Sequence, residues 1–334
     1  MKEFNVAIVG ATGAVGQVFL QVLEQRNFPI KNLTALASER SEGKVIKFKS
    51  EDVIVKKLTK DSFKGIDIAL FSAGASRSKE FAKYAVSSGA LVIDNSSAFR
   101  MDEDVPLVVP EVNPQSAYKN NGIIANPNCS TIIMAVAIKP IYDISPIKRI
   151  IVSTYQAVSG AGYKAIVELE NQVKDLICLG KKKVESEVFP VQIAFNVIPH
   201  IDVFLENGYT KEEMKMHNET RKIFNDNSIS VSATTVRVPV FTSHSESINL
   251  ETLDKVDIKI VREAMTKAKG VKLIDDISNL KYPTPLDASG NDDVYVGRIR
   301  EDITNQNGIC MWVVGDQLRK GAALNAVQIA ELFI

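Results

Sequence analysis

Residues 4–16 read Phe-Asn-Val-Ala-Ile-Val-Gly-Ala-Thr-Gly-Ala-Val-Gly. The apolar run Phe4 to Val9 is the pattern of a strand buried on both faces. It leads into Gly10, Thr12, Gly13, Ala14, Val15 and Gly16, and then into a helical pattern carrying Leu20 and Leu23. Strand, glycine-rich turn and helix together suit a dinucleotide. The glycines let the backbone approach a pyrophosphate, and the helix N-terminus offers N–H donors and positive potential. The spacing is GxxGxxG rather than GxGxxG, and such turns also occur with no ligand.

Further β–α units follow. A second strand, Leu33 to Ala37, ends at Ser38, Glu39, Arg40 and Ser41. An acid at this strand end suits the ribose hydroxyl of NAD, whereas an arginine suits a 2′-phosphate. Arg40 with Ser38 and Ser41 favours NADP; Glu39 is either the NAD-type acid or a solvent-facing side chain. Val45 to Lys57 alternates around a turn at residues 50–52, as expected for a hairpin extending the sheet. Ile66 to Ser72 is a buried strand ending at Ser72 and Ala73, small residues at the edge where a cofactor lies. A helix over Arg77 to Ser88 and a strand over Ala90 to Asp94 complete a doubly wound parallel sheet. Arg100 follows in a polar turn, as either an anion ligand or a surface ion-pair partner. Two short apolar pieces, Leu107 to Asn113 and Gly122 to Ala125, carry the chain onward.

The next stretch is Asn126-Pro127-Asn128-Cys129-Ser130-Thr131, ahead of the apolar run Ile132 to Ile138. Pro127 breaks what precedes it, and Asn128 is a good N-cap residue. A thiol at a helix N-terminus faces unsatisfied N–H groups and the positive end of the helix dipole. Both favour thiolate, which lowers the pKa below the free value of about 8.5. The same N–H groups suit a developing oxyanion. The alternative is an inert buried cysteine.

The second half changes character. Lys148 to Val158 has strand alternation with Gln156 near its end, followed by Ser159 and Gly160. Helices are expected over Tyr163 to Leu179 and Lys211 to Phe224, the latter with Glu219 and Lys222 at i, i+3, ordinarily a solvated pair. Ser230 to Phe241 and His244 to Leu250 alternate as strands, Asp257 to Ala268 is helical, and strands recur at Val294 to Arg300 and Ile309 to Val314. Strands in succession imply an α+β unit with a mixed sheet. Apolar residues at helical spacing from Ala322 onward return the chain to the first unit.

Composition limits the partners. The 334 residues suit two domains. Lys+Arg and Asp+Glu both number 40, so nothing points to nucleic acid or an anionic membrane. No apolar run nears the roughly 20 residues of a membrane span, and no signal-peptide pattern opens the chain, so a cytoplasmic protein is expected. Three cysteines, Cys129, Cys178 and Cys310, without CxxC spacing, argue against a disulfide framework and a metal site.

Four stretches together resemble the aspartate-β-semialdehyde dehydrogenases: residues 10–16, residues 127–131, Arg237-Val238-Pro239 with His244 seven residues on, and Leu318-Arg319-Lys320-Gly321-Ala322-Ala323-Leu324-Asn325. The resemblance covers essentially the whole chain. It implies a Rossmann-type NADP domain (1–127 plus 317–334) and an α+β catalytic and dimerisation domain (128–316). It implies that β-aspartyl phosphate and NADPH give aspartate semialdehyde and inorganic phosphate, on the route to lysine, threonine, methionine and diaminopimelate. By the same resemblance Cys129 forms a thioester, His244 is the acid/base, and Gln156 positions the acyl group. Arg237 takes the α-carboxylate and Glu219 the ammonium. Arg100, Lys222 and Asn128 take the phosphate. Ser159, Gly160 and Asn325 meet the nicotinamide end, with Gln317 standing where many members have Asn. A homodimer is implied, with a tetramer the alternative. Two sister activities share the architecture, N-acetyl-glutamyl-phosphate reduction and CoA-dependent aldehyde oxidation. Glu219 disfavours the first, whose substrate has no ammonium. A non-catalytic NADP-binding protein is the rival of another class, and it would bind cofactor without turnover.

Overall fold

The computed structural model describes residues 2–334, which divide into two compact units: residues up to Asn128 with Gly321–Ile334, and Cys129–Lys320. The chain thus crosses after Asn128 and after Lys320, one and four residues beyond the crossings expected from the sequence.

In chain order the first unit contains β1 (Phe4–Val9), α1 (Ala14–Gln25), β2 (Ile30–Ala37), β3 (Val45–Phe48), β4 (Glu51–Ile54), β5 (Lys56–Lys57), β6 (Ile68–Phe71), α2 (Ala75–Ser87), β7 (Leu91–Asp94) and β8 (Ile123–Ala125). Its six-stranded sheet runs β5-β2-β1-β6-β7-β8, and every neighbouring pair is parallel. Both faces of β1 are buried, which explains its unbroken apolar character. Val6 and Ile8 join the cluster containing Phe19 and Leu23 of α1, whereas Ala7 and Val9 join Phe81 and Ala85 of α2. The expected hairpin forms, but β3 and β4 make a separate two-stranded sheet, and only β5 extends the main one. The reversal falls at Lys49 and Ser50, both left-handed with φ of 48° and 65°, as a tight hairpin turn requires.

The second unit contains α3 (Cys129–Tyr142), β9 (Ile147–Gln156), α4 (Tyr163–Ile177), α5 (Lys211–Phe224), β10 (Ser230–Arg237), β11 (His244–Thr252), α6 (Ile258–Lys267), β12 (Val271–Leu273), α7 (Pro285–Ala288), β13 (Val294–Glu301) and β14 (Gly308–Gly315). β12 is too short to stand out in the sequence. The expected strand ending at Phe241 stops at Arg237, just before Pro239, which has no N–H to continue the ladder. The sheet runs β10-β9-β11-β14-β13-β12 and is mixed: β10/β9 and β12/β13 are parallel, the others antiparallel. Helix α3 is buried on all sides from Ser130 to Ile138. It packs against α5 and α6 and on the sheet face of β9, β11, β13 and β14, where β9 presents Ile150, Val152 and Thr154. The chain ends in a π turn, Arg319–Ala323, and α8 (Leu324–Glu331). Helix α8 packs on α1 in the first unit, where Glu331 pairs with Arg26 at 2.6 Å.

Candidate active site

Strand register organises the second unit into rows across β10, β9 and β11. The outermost row pairs Arg237 with Gln156. Gln156 lies one residue beyond the Tyr155–Ser245 pair, so it shares a face with His244, the first residue of β11. Beneath it lies a polar row, Thr235, Thr154 and Glu246, and beneath that an apolar one, Ala233, Val152 and Ile248. Cys129, half-buried, opens α3 against this face, so its thiol stands in the first turn of a helix buried from Ser130 to Ile138. Its neighbour Ser130 accepts a 2.8 Å hydrogen bond from the Gln156 amide.

Ala157 ties two of the row's side chains together. Its carbonyl accepts from Arg237 Nη1 at 2.6 Å, and its N–H donates to His244 Nδ1 at 3.1 Å. A backbone amide only donates, so Nδ1 carries the lone pair and the proton of the neutral ring sits on Nε2. Nε2 is buried with no partner, and it lies on the side of Gly160, whose position a Cβ would bring within 3.2 Å of it. Burial, reinforced by the nearby Arg237 cation, holds His244 well below the usual imidazole pKa, so the ring is neutral near pH 7. Burial also lowers the Arg237 pKa. Attraction to Cys129 and Glu212 opposes that shift. The ring of Phe189 lies 5.8 Å from the guanidinium carbon.

Several of these partners escape sequence reasoning. Glu212 is buried, pairs with Lys215 at 2.9 Å and approaches the Gln156 amide at 3.4 Å. Glu219 lies two turns further along the inward face of α5, with Lys222 half-buried beyond it. The placement of Glu212, Met216 and Glu219 at i, i+4 and i+7 is a signal the sequence does carry. Glu246 is fully buried with both carboxylate oxygens unpartnered, and burial pushes its pKa well above the usual carboxylate range. Gln317 is fully engaged: its Oε1 accepts from Ser243 N at 2.7 Å, and its Nε2 donates to Ser159 Oγ. It thereby grips Ser243, a left-handed residue at φ 70° immediately before His244.

The first unit holds its own cavity, of 220 Å³, at the C-terminal ends of β1, β2 and β6. The sheet order reverses between β1 and β6, so this is the topological switch point where nucleotides bind in such folds. Gly10, Thr12, Gly13, Ser38, Arg40, Ser72 and Ala73 line it, joined by Arg77, which the sequence reading missed. Thr12 donates to Ser41 at 3.3 Å, which brings Ser41 beside the same rim. Ala14, Val15 and Gly16 form the first turn of α1. The glycines are sterically required: a Cβ on Gly10 would meet Ser72 O at 2.5 Å, and one on Gly16 would meet Gly10 O at 2.2 Å. Glu39 pairs instead with Lys57 at 2.8 Å and does not line the cavity.

Three further candidates have clear anchors. Arg100 donates to the carbonyls of Asn126 and Asn95 at 2.9 and 2.8 Å. Asn325 donates to Val108 O and Asn126 Oδ1 at 3.0 and 2.6 Å. Asn128 is buried as the last residue before α3. Among the described residues no cluster of His, Cys, Asp or Glu suits a metal ion, and no helix is long and apolar enough to cross a membrane.

Comparison with known proteins gives the same picture. Residues 5–120 match the family described as semialdehyde dehydrogenase, NAD binding domain, and residues 138–320 the semialdehyde dehydrogenase dimerisation domain. The aspartate-semialdehyde dehydrogenase of Aquifex aeolicus is 61% identical over 99% of this chain and 98% of its own length. The solved aspartate semialdehyde dehydrogenase II of Vibrio cholerae, complexed with ASA, superposes with a TM-score of 0.97 at 52% identity, covering 100% of this chain and 98% of its own. The Candida albicans aspartate semialdehyde dehydrogenase, solved with NADP, superposes at 0.76 and 25% identity over 99% and 98% of the two chains. With these matches running the length of both units, the chain belongs to the aspartate-semialdehyde dehydrogenase family of oxidoreductases.

Proposed function

We propose that the protein reduces L-β-aspartyl phosphate to L-aspartate-β-semialdehyde through a thioester on Cys129, releasing inorganic phosphate, in the biosynthesis of lysine, threonine, methionine and diaminopimelate. The observation that carries this reading is the convergence of one helix-terminal cysteine with Gln156, Arg237 and His244 on one face of the sheet. Bound NADPH would supply the hydride.

The residues divide the remaining work. Cys129 attacks the acyl carbon, the C–O bond to phosphate breaks, and the acyl group passes to sulfur. Gln156, held by Ser130, orients that acyl group. Hydride addition places charge on the former carbonyl oxygen, for which the Nε2–H of His244 is the hydrogen-bond donor; the thiohemiacetal C–S bond then breaks, releasing the aldehyde and returning Cys129 as thiolate. A proton fixed on Nε2 by the Ala157 N–H supports this donor role. Arg237 is the fork for the α-carboxylate and Glu219 the acceptor for the ammonium. Arg100, Lys222 and Asn128 hold the phosphate. Ser159, Gly160, Gln317 and Asn325 complete the nicotinamide end of the site, the two amides acting through the hydrogen bonds they already make.

The lining of the first-unit cavity supports binding of the phosphorylated end of a dinucleotide. Its lining combines close-approach glycines, three hydroxyl side chains and two arginines, with no carboxylate, and Glu39 is engaged elsewhere. That favours NADP over NAD. The face of the second-unit sheet opposite Val152 and Ile248, carrying half-buried Ser153, Tyr155, Ser247 and Trp312, supports pairing with a second copy as a homodimer, with a tetramer the alternative. Free cysteines and NADPH-dependent chemistry support a cytoplasmic enzyme.

The test is phosphate-dependent turnover of L-aspartate semialdehyde with NADP. Strict phosphate dependence is expected. Equal turnover with CoA in place of phosphate would move the assignment to a CoA-acylating enzyme. Turnover with neither acceptor would defeat the acyl-phosphate reading.

A further inference from the structure

Arg77 is a residue that local energetics disfavours. It sits in the first turn of α2, whose N-terminus has neither an acidic residue nor a capping side chain. A cation there faces the positive end of the helix dipole, where a carboxylate is the stabilising choice. Nothing in the described structure compensates: the guanidinium is exposed and makes no ion pair, hydrogen bond or ring contact. Residues that break a local rule without a structural return mark functional positions.

The cavity at the switch point supplies the return. Arg77 lines it beside Ser72 and Ala73, and Arg40 lines it beside Ser38. The two arginines come from different elements, Arg40 from the 3-10 turn after β2 and Arg77 from α2. Arg40 is also exposed and without a protein partner. Two uncompensated guanidinium groups thus face one cavity in which no acid is present. A phosphate monoester, carrying about −1.5 to −2 charges near pH 7, matches a pair of cations better than one.

We propose that Arg77 is a specificity residue of the nucleotide site, clamping with Arg40 the 2′-phosphate that distinguishes NADP from NAD. This rests on the NADP reading above and deepens it. Arg40 alone would tolerate NAD with one unmatched charge; two arginines leave two. Arg77 therefore raises discrimination between the cofactors rather than affinity for dinucleotides in general.

Equilibrium binding to the full-length protein tests this by calorimetry, without turnover. NADP, NAD, 2′-AMP and 5′-AMP are titrated into the wild type, Arg77→Ala, Arg77→Gln and Arg40→Ala. A lost charge-assisted contact is worth ten- to a hundred-fold in affinity, as an order of magnitude. Arg77→Ala is expected to lose that much for NADP and 2′-AMP while NAD and 5′-AMP bind unchanged, and its melting temperature should not fall. Unchanged NADP affinity in Arg77→Ala, with the wild type still preferring NADP, would overturn the role of Arg77 and leave the NADP reading standing. Equal losses for NADP and NAD would also overturn it, making Arg77 a general or structural contact. A wild type that binds NAD as tightly as NADP would remove the reading on which the proposal stands.

Discussion

Replacing Gly160 with alanine is the sharpest steric probe of the candidate site. Gly160 is not among the left-handed glycines, so its backbone tolerates a side chain. The new methyl would stand 2.9 Å from Arg237 Nη1 and 3.2 Å from both Cε1 and Nε2 of His244. Ordinary contact begins near 3.4 Å, so the guanidinium must retreat by about 0.5 Å and the imidazole by about 0.2 Å. Neither is free to do so. Arg237 is buried and held at 2.6 Å by Ala157 O, and His244 is fully buried and held at 3.1 Å by Ala157 N. A misplacement of about 1 Å at reacting groups costs on the order of a hundred-fold in rate, so half of that predicts roughly a ten-fold fall in kcat/KM. Overpacking by one methyl costs about 1–3 kcal/mol in a tight core. Because the intrusion meets two side-chain ends, the lower part of that range is expected. The assay combines phosphate-dependent NADPH formation with urea unfolding. Wild-type kcat/KM in a folded Gly160→Ala protein would refute the claim that Arg237 and His244 act from the positions described.

Three further outcomes follow from individual contacts. Cys129→Ala should abolish turnover while NADP affinity, measured by calorimetry, stays within a factor of about two, the cavity's lining residues being elsewhere in sequence. Gln317→Ala removes partners from Ser243 N and Ser159 Oγ, two buried polar groups; a loss of about 2–4 kcal/mol in urea unfolding is expected, together with a lower kcat. Glu246→Gln should change the pH dependence of stability. Burial raises the folded-state pKa above the unfolded value near 4.5, so the native protein keeps a proton that the unfolded chain releases. Stability attributable to Glu246 is full below that unfolded value and is lost as pH rises toward the folded one, at about 1.4 kcal/mol per pH unit. The variant should lack that decline, and parallel urea-stability curves from pH 5 to 8 would contradict it. His244 works in the opposite sense, its contribution being lost as pH falls below about 6.5.

The first unit was the more legible in sequence. Buried parallel strands announce themselves as apolar runs, and Gly10 and Gly16 stand where backbone approach forbids a side chain. The hairpin at residues 45–54 was visible, but its separation from the main sheet depends on tertiary pairing, which alternation does not encode. Cys129 and His244 were found through motif and resemblance. The arrangement of rows across β10, β9 and β11 was not, because register between distant strands is invisible in any one of them. Glu246 did leave a trace: it shares strand parity with Ile248 and Leu250, an inward-facing acid among apolar neighbours. Arg77 left one as well, as a cation in the first turn of a helix. Its meaning appeared only when the cavity brought it beside Arg40.

The central claim is the covalent intermediate at Cys129, and trapping it tests the claim most directly. The protein is mixed with L-β-aspartyl phosphate without NADPH, quenched in acid, digested and analysed by mass spectrometry. The account predicts an aspartyl adduct on the Cys129 peptide, labile to hydroxylamine, formed with release of inorganic phosphate and absent from Cys129→Ala. An unmodified Cys129 peptide, in protein shown to turn over the same substrate when NADPH is added, would contradict it.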